Sequence, residues 1–258
     1  MSLIDSKVCI LGDGFVGQSL KKALHKCRDM VLLGPQEVPV QKVFDICFVC
    51  VPTNNTDGVS DLSNIEDAFQ KIKSNLYIIK STIPVGTCKK LTNRFKVDIV
   101  YCPEFLSESI YHNPTNCAGN LLEWPFFVLG GGNDPVDSAY NFLLEIFGPC
   151  KSYSFTTFET AELFKYTVNL FWTFKLSFFN SIFDICNDFE VDYKKLRELV
   201  LLDKRIHPLH TAIFKNKRGF RGKCLPKDLE SFVSQIKNKQ SKDLFAMIQQ
   251  YNNLFIKK

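Results

Sequence analysis

A short apolar run, Lys7-Val-Cys-Ile-Leu11, passes directly into Gly12-Asp-Gly14-Phe15-Val16-Gly17 and then into a helix-forming stretch over 18–26. No other segment restricts the fold as tightly. Glycines at that spacing let the backbone approach a pyrophosphate, and the helix that follows turns its positive end toward it. The segment therefore predicts the first strand–turn–helix unit of a dinucleotide-binding sheet, with Gly12, Gly14, Phe15, Val16 and Gly17 at the cofactor. Further apolar runs at 30–33, 46–51, 77–79, 99–101 and 126–129 are separated by helical or loop material. That alternation predicts an α/β fold with a Rossmann-like, doubly wound, mostly parallel sheet.

Ligands of open α/β sheets bind at the carboxyl ends of strands, so the turns placed there carry the chemistry. One reads Lys80-Ser-Thr82-Ile-Pro-Val-Gly-Thr87 and the next Cys102-Pro-Glu104-Phe-Leu-Ser-Glu108-Ser109. They offer hydroxyls, a proline turn and two carboxylates, although spacing alone allows Glu104 and Glu108 to be ordinary surface acids. After the second strand the chain reads Leu33-Gly34-Pro35-Gln36, without the acid that usually holds the adenosine ribose of NAD. Only the residues 34–43 separate the second and third strands, too few for an ordinary helical crossover. The adenosine side of the pocket is expected to be cut down.

From 158 to 188 the chain has neither Gly nor Pro and carries Phe164, Phe171, Trp172, Phe174, Phe178, Phe179 and Phe183. A helix apolar on nearly every face has to be covered by other helices or by a second subunit. Its onset divides the chain into 1–157, the dinucleotide-binding domain, and 158–258, an all-α domain built on this one long helix. Glu162, Lys165 and Asn169 fall along one side of it. Such a stripe needs a ligand or internal partners, and a Glu162–Lys165 ion pair is the simplest internal solution. Beyond it lies Gly219-Phe220-Arg221-Gly222-Lys223-Cys224-Leu225-Pro226-Lys227-Asp228, a thiol in a glycine turn flanked by cations. Arg221, Lys223 and Lys227 are expected to favour the thiolate, and Asp228 offers a base or a water-positioning group.

Composition narrows the remaining classes. With 32 Lys+Arg against 27 Asp+Glu, the net charge of +5 does not call for a polyanionic partner, so no nucleic-acid binding is expected. The ten cysteines lack the regular spacing of a secreted disulfide scaffold, which points to a reducing, cytoplasmic setting. Cys47 and Cys50 form a CxxC inside a run that reads as a buried strand, where packing is expected rather than redox or zinc chemistry. His207 and His210 bracket Pro208 and read as surface loop, so no metal site is expected. No stretch reaches about 20 apolar residues, so no membrane span is expected.

In chain order, Gly12 to Gly17, Val51-Pro52-Thr53, Ser81 to Thr87, Pro103 to Glu108, Glu162-Leu-Phe-Lys165-Tyr-Thr-Val-Asn169 and Gly219 to Asp228 together resemble the UDP-glucose/GDP-mannose 6-dehydrogenase family. That resemblance implies NAD-dependent oxidation of a nucleotide-sugar primary alcohol to the carboxylate, through an aldehyde and a cysteine thioester. It makes Cys224 the nucleophile, and gives Lys165 and Asn169 the developing oxyanion. Asp228, Thr82 and Glu104 would handle the water, Glu108, Lys165 and Gly219 the sugar, and Pro52, Thr53, Thr82 and Lys227 the cofactor. The family usually has Gly where this chain has Arg221, and a small or neutral residue at the place of Lys223. It also continues into a further domain for the substrate's nucleotide, which this sequence does not reach. A smaller substrate, one held by another subunit, or no turnover are the alternatives. A two-electron β-hydroxyacid-dehydrogenase-like enzyme and a non-catalytic nucleotide- or sugar-binding relative remain open. A homodimer through the 158–188 helix is expected.

Overall fold

In a computed structural model, which describes residues 5–34, 37, 42–106 and 119–256, the apolar runs become strands, those at 8–11, 46–49, 77–79 and 99–101 buried on both sides. In chain order the elements are β1 (Lys7–Leu11), α1 (Phe15–Ala23), β2 (Asp29–Leu33), β3 (Val43–Val49), β4 (Asn55–Thr56) and β5 (Val59–Ser60). Then come α2 (Ser63–Lys71), β6 (Lys73–Ile79), α3 (Thr87–Phe95), β7 (Ile99–Tyr101), β8 (Phe126–Gly131), α4 (Asn133–Phe147) and β9 (Ser152–Thr156). Four helices follow: α5 (Phe158–Asp188), α6 (Tyr193–Val200), α7 (Leu225–Gln235) and α8 (Lys239–Ile256).

The main sheet runs β2-β1-β3-β6-β7-β8-β9, parallel throughout except where β8 meets β7. Side-chain alternation sorts its two faces. Val8, Ile10, Ile46, Phe48, Leu76, Ile78 and Val100 pack with Leu20 and Ala23 of α1 and with Val136, Ala139, Phe142 and Leu143 of α4. Their neighbours Cys9, Leu11, Cys47, Val49, Tyr77, Ile79 and Tyr101 face the other way, onto Ile65, Ala68 and Phe69 of α2 and Cys88 and Leu91 of α3. Cys47 and Cys50 thereby serve opposite layers; a hydrogen bond with Cys9, and then burial, push the Cys47 thiol pKa up, and burial pushes up that of Cys50. The doubly wound sheet of the sequence reading is what forms.

The chain divides into two compact units, 1–56 with 60–165, and 57–59 with 166–258. In the second, Tyr166, Leu170 and Leu176 of α5 share a core with Phe220, Leu229 of α7 and Ile248 of α8. The β4–β5 hairpin turns on Asp57 and Gly58, both at positive φ, and the Gly58 carbonyl accepts from Ser234 Oγ at 2.8 Å. An Asp-Gly pair is a recognised hairpin signal. No helix among the described residues is long and apolar enough to cross a membrane.

Candidate active site

The order β2-β1-β3 reverses direction at β1, and the carboxyl ends of β1 and β3 flank that reversal. Crevices at such points are where open α/β sheets take ligands. The three glycines there do different things. A Cβ on Gly12, whose φ is +106°, would stand 2.5 Å from the Cys50 carbonyl oxygen, and one on Gly17 would stand 1.8 Å from that of Gly12. Both are required by packing of the chain on itself. A Cβ on Gly14 would meet nothing within 4 Å, and Gly14 begins α1 without a side-chain cap. The amino end of α1 is thus open on the side where a pyrophosphate oxygen would accept its N–H groups. This cradle fits a dinucleotide. Phe15 is exposed, while Val16 packs against the core below.

Along the same edge, Thr53 is buried after β3, and its Oγ1 donates to the Thr82 carbonyl at 2.6 Å. Pro52 beside it is exposed. After β6 and β7 the chain buries Lys80, Cys102 and Glu104 together. Lys80 Nζ lies 3.3 Å from Cys102 Sγ and 3.8 Å from Glu104 Oε2. Burial works against the Lys80 charge, but the Cys102 sulphur and Glu104 carboxylate outweigh it and hold its pKa above the ordinary value. Glu104 Oε1 accepts from the Phe105 and Leu106 N–H groups, both at 2.7 Å, whereas buried Oε2 accepts no hydrogen bond among the described residues. The Glu104 carboxylate is therefore oriented by three groups, the two N–H donors and Lys80.

The residues of the α5 stripe separate. Glu162 and Lys165 do not pair. Glu162, fully buried, accepts from the Gly86 and Cys88 N–H groups and so caps α3, which has no side-chain cap of its own. Burial raises its pKa, against the pull of those two N–H donors. Lys165 Nζ instead donates to the Glu104 carbonyl and lies 4.4 Å from the centre of the Phe105 ring. The ion pair fails because each partner has a closer, backbone-bound alternative. Glu108 lies outside the described residues, as do Pro35 and Gln36.

In the second unit, Asn169 Nδ2 donates to Asp228 Oδ2 at 2.6 Å, both side chains being buried. Asp228 sits in the first turn of α7, its N–H bonded at 2.8 Å to the carbonyl of Cys224, the residue that begins the helix. Cys224 is exposed. Lys227 Nζ pairs with Asp228 Oδ1 at 2.8 Å, and Arg221 turns away to donate to the Phe255 carbonyl at 2.7 Å, near the end of α8. Cys224 is the residue that begins α7, and the amino end of a helix favours an anion.

The turn before Cys224 is anchored by residues the sequence reading missed. Asn252 Oδ1 accepts from the Phe220 N–H at 2.7 Å, and its Nδ2 donates back to the Phe220 carbonyl at 3.0 Å. Asn180 Oδ1 accepts from the Gly219 N–H at 3.0 Å and from Arg218 Nε at 2.8 Å. Gly219, at φ +71°, has room for no Cβ, which would stand 2.5 Å from Asn252 Oδ1, so its structural part is to let this clamp close. A helical Asn in an otherwise apolar stretch is the signal that could have found Asn180. Glu37 was also missed: its Oε2 accepts from the Gly34 N–H at 3.1 Å, bringing a carboxylate to the end of β2, where the sequence reading finds none.

Residues 18–137 match the NAD binding domain of the UDP-glucose/GDP-mannose dehydrogenase family, and residues 159–254 match the central domain of the same family. A UDP-glucose 6-dehydrogenase of Rickettsia bellii is 33% identical over 218 residues, covering 78% of this chain and 48% of the relative. One from Bacillus subtilis is 31% identical over 210 residues, 75% of this chain and 43% of the relative. The chain spans about half the length of the curated relatives it matches. Among solved structures, a UDP-D-ManNAc dehydrogenase from Pyrococcus horikoshii superposes with a TM-score of 0.79 at 19% identity, over 96% of this chain and 68% of that one. A UDP-glucose dehydrogenase from Pyrobaculum islandicum gives 0.74 at 22%, over 95% and 68%. At these identities the superpositions speak for the fold.

Proposed function

Since this chain belongs to the UDP-glucose/GDP-mannose dehydrogenase family, carrying its NAD binding and central domains, we propose that it oxidises the primary alcohol of a nucleotide sugar to the carboxylate. The observation that carries this reading is the buried Asn169–Asp228 hydrogen bond, which ties the α5 stripe to the helix that Cys224 begins. NAD+, when bound, takes up a hydride in each of two oxidations.

The side chains of this sequence do the rest. By the family resemblance, the water that takes the alcohol proton as the first hydride leaves C6 falls to Thr82, Glu104 and Asp228. Cys224, as thiolate at the amino end of α7, adds to the resulting aldehyde to give a thiohemiacetal. Lys165 and Asn169 donate to the oxygen of C6 while negative charge resides there. Loss of the second hydride leaves a thioester, and water adds to it, releasing the carboxylate and returning the thiol. In balance, one alcohol, one water and two NAD+ give one carboxylate, two NADH and three protons. Lys227, paired with Asp228, contributes a positive charge beside that carboxylate, and Gly12, Gly14, Gly17, Phe15, Val16, Pro52 and Thr53 receive the cofactor.

We place the protein in a reducing, cytoplasmic setting, in keeping with nine cysteines outside disulfides among the described residues. It acts as a homodimer through the exposed face of α5. A screen of nucleotide sugars with NAD+, read by NADH absorbance, tests the assignment. The wild-type chain is expected to reduce NAD+ with at least one nucleotide sugar, and Cys224→Ala to form no carboxylate. Carboxylate formation by Cys224→Ala would overturn the covalent route.

A further inference from the structure

Lys80 is a cation buried just past the end of β6, its side chain 3% exposed. The strand ladder puts it there. Ile79 pairs with Tyr101, and the Cys102 N–H donates to the Ile79 carbonyl at 2.9 Å, so Lys80 and Cys102 stand side by side one residue beyond the β6–β7 pairing. Alternation turns both away from Ile79 and Tyr101, toward the layer of Ile78, Val100 and Phe127. Glu104, two residues after Cys102, arrives at the same place. Lys80 Nζ lies 3.3 Å from Cys102 Sγ, 3.8 Å from Glu104 Oε2 and 5.7 Å from the centre of the Phe127 ring.

A cation held out of water needs a counter-charge. The thiols around Lys80 do not supply it. Burial pushes up the titration of Cys102 and of Cys50, which follows β3, against the pull of Lys80, so both are neutral near pH 7. Lys165 of α5 is a second cation, and its Nζ is turned to the Glu104 carbonyl. Among the described residues the Glu104 carboxylate is therefore the one anion facing Lys80, with Oε1 held by the Phe105 and Leu106 N–H groups and Oε2 on the side of the ammonium. Cys102 accepts from the ammonium without neutralising it, which leaves the charge to Glu104.

We infer that Lys80 is a positioning residue for Glu104, keeping its carboxylate ionised in a buried setting and fixing the direction of Oε2. The inference rests on Glu104 handling the water of the proposed reaction, since a base must be ionised to take a proton. Burial disfavours the charged form of a carboxylate, and a cation within about 4–6 Å favours it by about one to three pH units. At 3.8 Å, Lys80 supplies the second effect against the first.

Two measurements on Lys80→Met, Glu104→Gln and the double variant test this. Urea denaturation at neutral pH reads the pair without any turnover. Each single variant leaves one buried charge alone, so the double variant is expected to lose less stability than the two singles summed. Losses that add, or a double variant that fails to fold along with Lys80→Met, overturn the pairing. The pH profile of kcat/KM, read from NADH formed with a nucleotide sugar, tests the consequence for the reaction. In Lys80→Met its acid limb is expected to move up by about one to three pH units, with kcat/KM lost below neutrality and recovered at alkaline pH. An acid limb that stays in place, with kcat/KM lowered equally at every pH, overturns the role of Lys80. Wild-type protein without turnover at any pH, but with losses in urea that do not add, overturns the proposed reaction and leaves the pair standing.

Discussion

Asn169 and Asp228 show how much depends on one contact. Each is buried, and the amide donates its hydrogen to a carboxylate that also carries an ion pair to Lys227. Truncation of Asn169 strands one carboxylate oxygen away from water. We expect Asn169→Ala to lower unfolding free energy by about 1–3 kcal/mol, measured by urea denaturation. Asn169→Asp places a second carboxylate against the first and is expected to be worse near neutral pH than under mildly acidic conditions, where one of the pair takes a proton. Equal stability of the two variants across that range would contradict this account of the contact. The candidate residues were picked out at this scale because Gly, Lys, Asn, Asp and Cys stood out against apolar surroundings. Their partners were not. Whether Glu162 meets Lys165 or the α3 amides depends on which backbone groups the fold brings within reach, and i, i+3 spacing carries no record of it.

The first turn of α3 illustrates the same point for an element. Gly86 takes a left-handed φ of 86° and supplies no side-chain cap, so the N–H groups that open that helix rely on Glu162, 76 residues away in sequence. Glu162→Ala is expected to cost about 2–4 kcal/mol, two buried donors losing their acceptor. Glu162→Gln keeps one acceptor oxygen and is expected to cost less. The pH dependence has a definite sign. Because burial raises the Glu162 pKa above its ordinary 4.5, the folded state binds the proton more tightly than the unfolded chain. This group's contribution is fully present below 4.5 and is lost as pH rises through the raised value. Between about pH 4 and pH 6, wild-type stability should therefore gain less, or fall more, than that of Glu162→Gln. A parallel pH dependence in the two proteins would contradict the burial argument. Six strands of the main sheet were readable from apolar runs, whereas β9, the mostly exposed edge strand Ser152–Thr156, has no such run. The β4–β5 hairpin was not read, although Asp57-Gly58 announces it, because strands of two residues carry no periodicity.

For the molecule as a whole, α5 leaves Phe171 at 57%, Phe178 at 58% and Ile185 at 43% exposure, residues spaced by seven along the helix. That spacing keeps them on one stripe, and a stripe of phenylalanines in water favours association with its own copy. The double variant Phe171→Glu/Phe178→Glu is expected to sediment as a monomer at micromolar concentration, and the wild-type chain as a dimer. A monomeric wild-type chain would remove the dimer from the account. The long apolar helix showed in the sequence that something must cover it, and left open which of its faces the other helices take. The central claim is two successive oxidations through Cys224, and it is tested most directly by counting NADH against carboxylate with UDP-glucose as substrate. The account predicts two NADH for each carboxylate and none formed by Cys224→Ala. One NADH with free aldehyde as the end product, or the same two-to-one ratio from Cys224→Ala, would contradict it.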